Sequence, residues 1–105
     1  MSLYLDEIWL HWDSPETARR ALTTFRSMDS ESFNWPPGVR LVAGPWFSNE
    51  EAKIVLILDI ADHAATFTAF TLATAHGLIA RRRLTPVVPW QAIDDVLALL
   101  PESPG

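Results

Sequence analysis

Cysteine is absent from this chain, glycine occurs only four times, and eight lysines and arginines face thirteen aspartates and glutamates. Without cysteine there is neither a disulfide framework nor thiolate chemistry. A reducing compartment suits such a chain, and a cytoplasmic location is the expectation. The net charge of −5 removes the basic footprint that a phosphate backbone requires, so nucleic acid is not an expected partner. The longest apolar runs fall far short of the roughly 20 residues of a membrane helix, so no membrane is expected either. Glycine is too sparse for a phosphate-cradling loop after any strand, and no nucleophile elbow is present. The three histidines are scattered, with no His-x-x-x-His or Glu-x-x-His pair, so no metal site is expected. Met1 is followed directly by polar and acidic sequence, so no secretory leader is expected.

What is present suits one compact domain over residues 1–105, with 101–105 a frayed tail. The apolar share is 49%, and five tryptophans are many for 105 residues. An aromatic side chain covers about 150–250 Å². Five are hard to hide in one modest core, so some are expected at an interface or a pocket.

The stretch DEIWLHW lies in a strand over residues 3–12 whose side chains alternate. Tyr4, Asp6, Ile8, Leu10 and Trp12 share one face, and Leu5, Glu7, Trp9 and His11 the other. DSPET then starts a helix, with Ser14 as N-cap, Pro15 in the first turn and Glu16 at the positive end of the dipole. That helix is predicted to end near 27–29. Its inner face carries Ala18, Ala21, Leu22, Phe25 and Met28.

After a proline-rich loop, VRLVAGPWF (39–47) is a second strand, with Gly44-Pro45 signalling a bulge or an edge. KIVLILDIA (53–61) is a third strand, and the short turn between them makes a hairpin. Asp62 caps a second helix, with Phe67, Phe70, Ala73 or Thr74, and Gly77 inward. RRRLTPVVPW (81–90) is a fourth strand held to an edge by Pro86 and Pro89, with Arg81-Arg82-Arg83 read as a solvated strand edge. QAIDDVLALL (91–100) carries Ile93, Val96, Leu97 and Leu100 at helical spacing. The order is α+β, a ferredoxin-like βαββαβ with a four-stranded antiparallel sheet, two helices on one face and an extra C-terminal helix.

Two helices cover one side of such a sheet. Parity puts Ile54, Leu56, Leu58 and Ile60 under the helices. It leaves Glu7, Trp9, His11, Val42, Trp46, Val55, Ile57, Asp59, Thr85 and Val87 on the open face. That mixture is too apolar for a wet surface, so the expectation is a homodimer that pairs two open faces around a central space.

The runs PPGVRLVAGPWF, ILDIADHAATFTAF and LTPVV resemble the family known as domain of unknown function 3303. The matching marks are Trp9, Pro37, Gly38, Gly44, Trp46, Thr85, Pro86 and Val87. The resemblance spans roughly residues 4–90 and implies the dimeric α/β-barrel superfamily, with no established activity.

Candidate chemistry centres on the open face. His11 beside Glu7 or Asp59 is a candidate general base, or else a hydrogen-bonded interface histidine. Glu7 and Asp59 form a carboxylate pair, or each forms a salt bridge to Lys53, Arg40 or Arg83. Trp9 and Trp46 stack on a ligand or pack across the dimer. His63 is expected to face solvent. His76 ends the second helix, where haem-degrading monooxygenases of the superfamily carry a haem ligand. Those enzymes also share a first-strand Asn and a second-helix Trp, and here the first strand has Glu7 and the second helix no Trp. No cofactor is therefore expected. Three readings stay open: a homodimeric small-molecule-binding module with a pocket between paired sheets; a cofactor-independent monooxygenase or isomerase for a small aromatic or polyketide-like substrate; and a structural dimer with a filled interface.

Overall fold

The computed structural model describes residues 2–102. Strand β1 (Leu3–Leu10) leads to helix α1 (Pro15–Phe25) and a 3-10 turn (Arg26–Asp29). Strands β2 (Val39–Phe47) and β3 (Lys53–Ile60) follow as a hairpin. Helix α2 (His63–Ala75), strand β4 (Ile79–Val87), a short 3-10 turn (Trp90–Ala92) and helix α3 (Ile93–Leu99) complete the chain. The sheet order is β2-β3-β1-β4, antiparallel throughout. This is the ferredoxin-like arrangement, with α1 and α2 as core helices and α3 as the extra C-terminal one. Residues 103–105 of the expected frayed tail lie outside the described residues.

The local signals work as the residue types dictate. The Ser14 side chain accepts from the Thr17 backbone N–H at 3.2 Å, and the Thr17 hydroxyl accepts from the Ser14 N–H at 3.0 Å. This reciprocal box satisfies two donors that a bare helix end leaves orphaned. Asp62 does the same for α2, accepting from Ala64 and Ala65. The alternation in β1 and β3 resolves as expected. Ile8, Leu10, Ile54, Leu56, Leu58 and Ile60 are buried beneath the helices with Ala21, Met28 and Ile79.

Strand β2 departs from simple parity. Leu41 lies opposite Leu58, yet Ala43 lies opposite Ile57 and Trp46 opposite Val55, so the register slips twice. Val42 is the extra residue of the first slip, and Ala43 takes the open-face place expected for it. The second slip falls at Gly44-Pro45, whose peptide is cis. Gly44 has φ +87°, and a Cβ there would stand 3.1 Å from the Val55 carbonyl. Only glycine meets both demands without strain. Trp46 keeps its open-face place because the two slips cancel in parity.

Strand boundaries and one helix face also depart from expectation, and β4 ends at Val87, three residues before the expected end. Strand β1 stops at Leu10, so His11 and Trp12 lie beyond it, and Trp12 packs instead against Phe47 at 5.8 Å between rings. Strand β4 begins at Ile79, two residues before the expected start, because Ile79 pairs with Leu10 across a register irregularity. In α2 the inward residues are Thr66, Ala69, Phe70 and Ala73, while Phe67 is 71% exposed. The Thr66 hydroxyl donates to the Asp62 carbonyl, so its burial leaves no polar group unpaired.

Candidate functional site

The open face is ordered in rows across the four strands. Arg40, Asp59, Leu3 and Val87 make the first row. Ala43, Ile57, Leu5 and Thr85 make the second, Trp46, Val55, Glu7 and Arg83 the third, and Lys53, Trp9 and Arg81 the last. The apolar centre is bounded at both ends by charges that pair within the chain. Lys53 donates to Glu7 at 2.8 Å and lies 3.4 Å from Glu51. The Trp9 indole N–H donates to Glu51 at 3.2 Å, and its ring sits under the Arg81 guanidinium at 3.8 Å and beside the Lys53 ammonium at 4.8 Å. Hydrogen bonding from Lys53 holds the Glu7 carboxyl below its usual range, and bonds from Trp9 and Lys53 do the same for Glu51. The two carboxylates hold Lys53 above its usual range in return. Asp59, at the far end, accepts from the Ser2 backbone N–H and from Arg40.

These partners separate the residues expected to converge. Glu7 lies opposite Val55 and Asp59 opposite Leu3. Four residues of strand, roughly 13 Å, part the two carboxylates. His11 lies beyond β1, its backbone N–H bonded to the Leu78 carbonyl at 3.2 Å. It is four residues from Glu7 and eight from the position of Asp59. Glu7 is salt-bridged to Lys53 and Asp59 to Arg40, so the two do not meet as a carboxylate pair. His63 meets the Tyr4 hydroxyl at 2.9 Å and packs edge-on to its ring. His76 is exposed at the C-cap of α2, where its carbonyl accepts from Arg20.

An apolar concave site lies on the other side of the sheet. The end of α1, the turn after it, α2 and the loop over 33–36 enclose a partly open cleft of about 170 Å³. Its walls are rings and small residues: Phe25, Phe33, Trp35 and Phe70 around Ala69 and Ala73. The short side chains of Ala69 and Ala73 leave the space, and the Phe33 and Trp35 rings, 4.7 Å apart, close over it. The lining is almost wholly apolar. Asn34 stands among the lining residues, and the Thr66 hydroxyl is already spent on its own helix. Nothing in the periodicity singled out this cleft. The aromatics of SESFNWPPG were part of a loop signal, and α2 has no clear polar side, so its pattern put Phe67 inward and left Ala69 unmarked. The one available sign was the pair of aromatics, Phe33 and Trp35, inside a segment otherwise polar or proline-rich.

Buried beside α2 is a pair with a structural task. Asp6 is 0% exposed, and Arg82 grips it with two hydrogen bonds of 2.9 Å while stacking over the Phe70 ring at 3.5 Å. Burial pushes the Asp6 carboxyl above its usual range, with the Arg82 bonds and charge pulling the other way. Among the described residues no group of three acidic or histidine side chains is placed to hold a metal ion, and no helix is long and apolar enough to cross a membrane.

Fold and site together define a ferredoxin-like α+β domain with one bare sheet face and an apolar cleft under its helices. No family model matches the chain, and no curated protein matches it. Among solved structures, one from Bacteriodes thetaiotaomicron VPI-5482, named "Putative antibiotic biosynthesis monooxygenase", is similar. It is 22% identical, with a TM-score of 0.47, over 85% of this chain and 89% of that one. The fold itself is defined by strand order and register.

Proposed function

We propose that the protein is a small-molecule-binding module that takes an apolar, ring-sized ligand in the cleft between α1 and α2, and that it acts as a homodimer through its open sheet face. The observation that carries ligand binding is the cleft itself: about 170 Å³ walled by four aromatic rings. An engineered apolar cavity of about 150 Å³ in another protein stays dry and binds benzene, so this volume suits a single ring. The near absence of free polar groups favours a ligand recognised by shape over one recognised by charge. The homodimer is supported by the apolar centre of the open face, Leu5, Val55 and Ile57, which neither core helix covers. Glu7 and Trp9 then serve that interface, and Trp46 stands at its β2 edge.

The test is a thermal-shift series with indole, simple phenols and small quinones. A ligand that binds only the native state at a hundred times its Kd adds about 2.7 kcal/mol of stability. Ala73→Leu fills the cleft and is expected to abolish the shift while keeping the fold. The reading fails if no ring-sized compound shifts the transition, or if Ala73→Leu leaves the shift unchanged. Product analysis of the same samples in air tests the oxygenase alternative. Turnover that His11→Ala removes would make the module an enzyme.

A further inference from the structure

From Val88 onward the chain leaves its own domain. The radius of gyration is 17.3 Å and the longest extent 63 Å, whereas a compact domain of about 100 residues has a radius near 13 Å. Every residue from 88 to 102 is exposed except half-buried Ala92. Trp90 is 77% exposed and Leu99 86%, and Val96, Leu97 and Leu100 are more than half exposed. Its hydrogen bonds run within the arm, Ala92 N–H to Pro89 and Leu100 N–H to Val96. Ile93, Val96 and Leu97 nonetheless share helical spacing on α3, with Trp90 in the turn before it and Leu100 just past its end. A stripe of that composition is built to be covered.

We infer that this arm docks on a second copy of the chain, in the groove between α1 and the β2 edge lined by Leu22, Phe25, Pro45, Trp46 and Phe47. The inference rests on the homodimer of the preceding reading and adds a swapped contact to it. Four observations select this occupant. The groove is apolar and about 150 Å³, and its Leu22, Trp46 and Phe47 are themselves exposed. It lies at the β2 edge, whereas the arm leaves from β4 at the opposite edge of the same sheet, so the arm does not cover its own groove. The arm carries Asp94, Asp95 and Glu102 and no basic residue, while the groove is flanked by exposed Arg19 on α1 and exposed Arg26 in the turn after it. Finally, the arm continues directly from the Leu3–Val87 row of the open face, so one pairing engages both surfaces. Each chain has one arm and one groove, and a two-fold pair satisfies both and closes.

Sedimentation of the full chain and of a chain ending at Val87 tests the inference, with interchain cross-linking as its partner measurement. The full chain is expected to be dimeric and the shortened chain to dissociate at least ten-fold more readily, with unchanged far-UV circular dichroism. Because the chain lacks cysteine, Thr23→Cys and Gln91→Cys can be placed in separate chains, mixed, and treated with a short bismaleimide. A cross-linked heterodimer is expected. A dimer that tolerates the truncation and gives no Thr23–Gln91 cross-link overturns the arm contact and leaves the homodimer standing. A full chain that stays monomeric at all concentrations overturns both. Cross-linking within single chains carrying both substitutions, in preference to between chains, also overturns it by showing the arm folded onto its own α1. If the shortened chain fails to fold, the cross-link decides alone.

Discussion

Asp6 and Arg82 show how one buried charge is held and what its removal does. A carboxylate taken from water costs several kcal/mol unless its partner meets it squarely, and the two 2.9 Å bonds from the Arg82 guanidinium do so. Asp6→Ala leaves Arg82 facing apolar surroundings without its anion and is expected to cost about 3–5 kcal/mol. The double variant Asp6→Leu/Arg82→Met removes both charges and is expected to recover most of that loss; urea unfolding of the three chains measures the difference. The pH response has a definite sign. Because the folded Asp6 carboxyl titrates above its usual value, the folded state holds that proton more tightly than the unfolded one. Its contribution is greatest below the ordinary carboxylate range and falls as pH rises from there through the raised value. Glu7 and Glu51, held low, act oppositely and lose their contribution as pH falls. Asp6→Asn is therefore expected to remove the Asp6 part of the decline, seen as a flatter melting temperature across mildly acidic pH than in the parent. An unchanged profile would mean that burial does not dominate at Asp6. None of this pairing was legible in the sequence. Asp6 was one polar member of an apolar face and Arg82 one of three arginines read as a wet edge. Alternation in β4 turns Arg82 inward while Arg81 and Arg83 reach Trp9 and Glu7.

At the scale of elements, legibility followed the strength of the period. Strands β1 and β3 alternate cleanly, so their faces were readable from the residues alone. Helix α2 was placed correctly by its Asp62 cap, and Phe70 and Ala73 do face the core, but Phe67 does not, because the helix's threonines and alanines bury as readily as its phenylalanines. The cleft lies where Phe67 was expected to fill space: Phe67 points away, and the small Ala69 stands beside Ala73 in the lining. Strand β2 defeated parity because Val42, and then one residue at Gly44-Pro45, are additions that a period of two does not count. Gly44→Ala puts a side chain at φ +87° and 3.1 Å from the Val55 carbonyl. It is expected to cost about 1–3 kcal/mol in urea unfolding. A cost below that range would mean the bulge relaxes and that Trp46 is free to change faces.

At the scale of the whole molecule, the residues foreseen on the open face largely share it, but the chemistry foreseen for them depended on side chains converging across strands. Sequence order gives the face of a residue and not its row. Glu7 and Asp59 sit on the same face at opposite ends of it, each beside a cation that neutralises it. What remains between those ends is apolar and uncovered by either core helix, so the proposed interface and the cleft lie on opposite sides of one sheet. That separation gives a sharp test. Ile57 lies in the central row, opposite Leu5 and Ala43, and makes no part of the cleft lining. Ile57→Glu would put an unpaired carboxylate at the centre of a dry interface, where no basic side chain shares its row, and such a charge is strongly disfavoured. In a lone protomer the same carboxylate would meet water. The variant is therefore expected to keep its circular dichroism and its ligand-induced thermal shift while sedimenting as a monomer. A variant that remains dimeric would move the interface off the sheet face, and one that loses ligand binding while folded would join two sites that the geometry keeps apart.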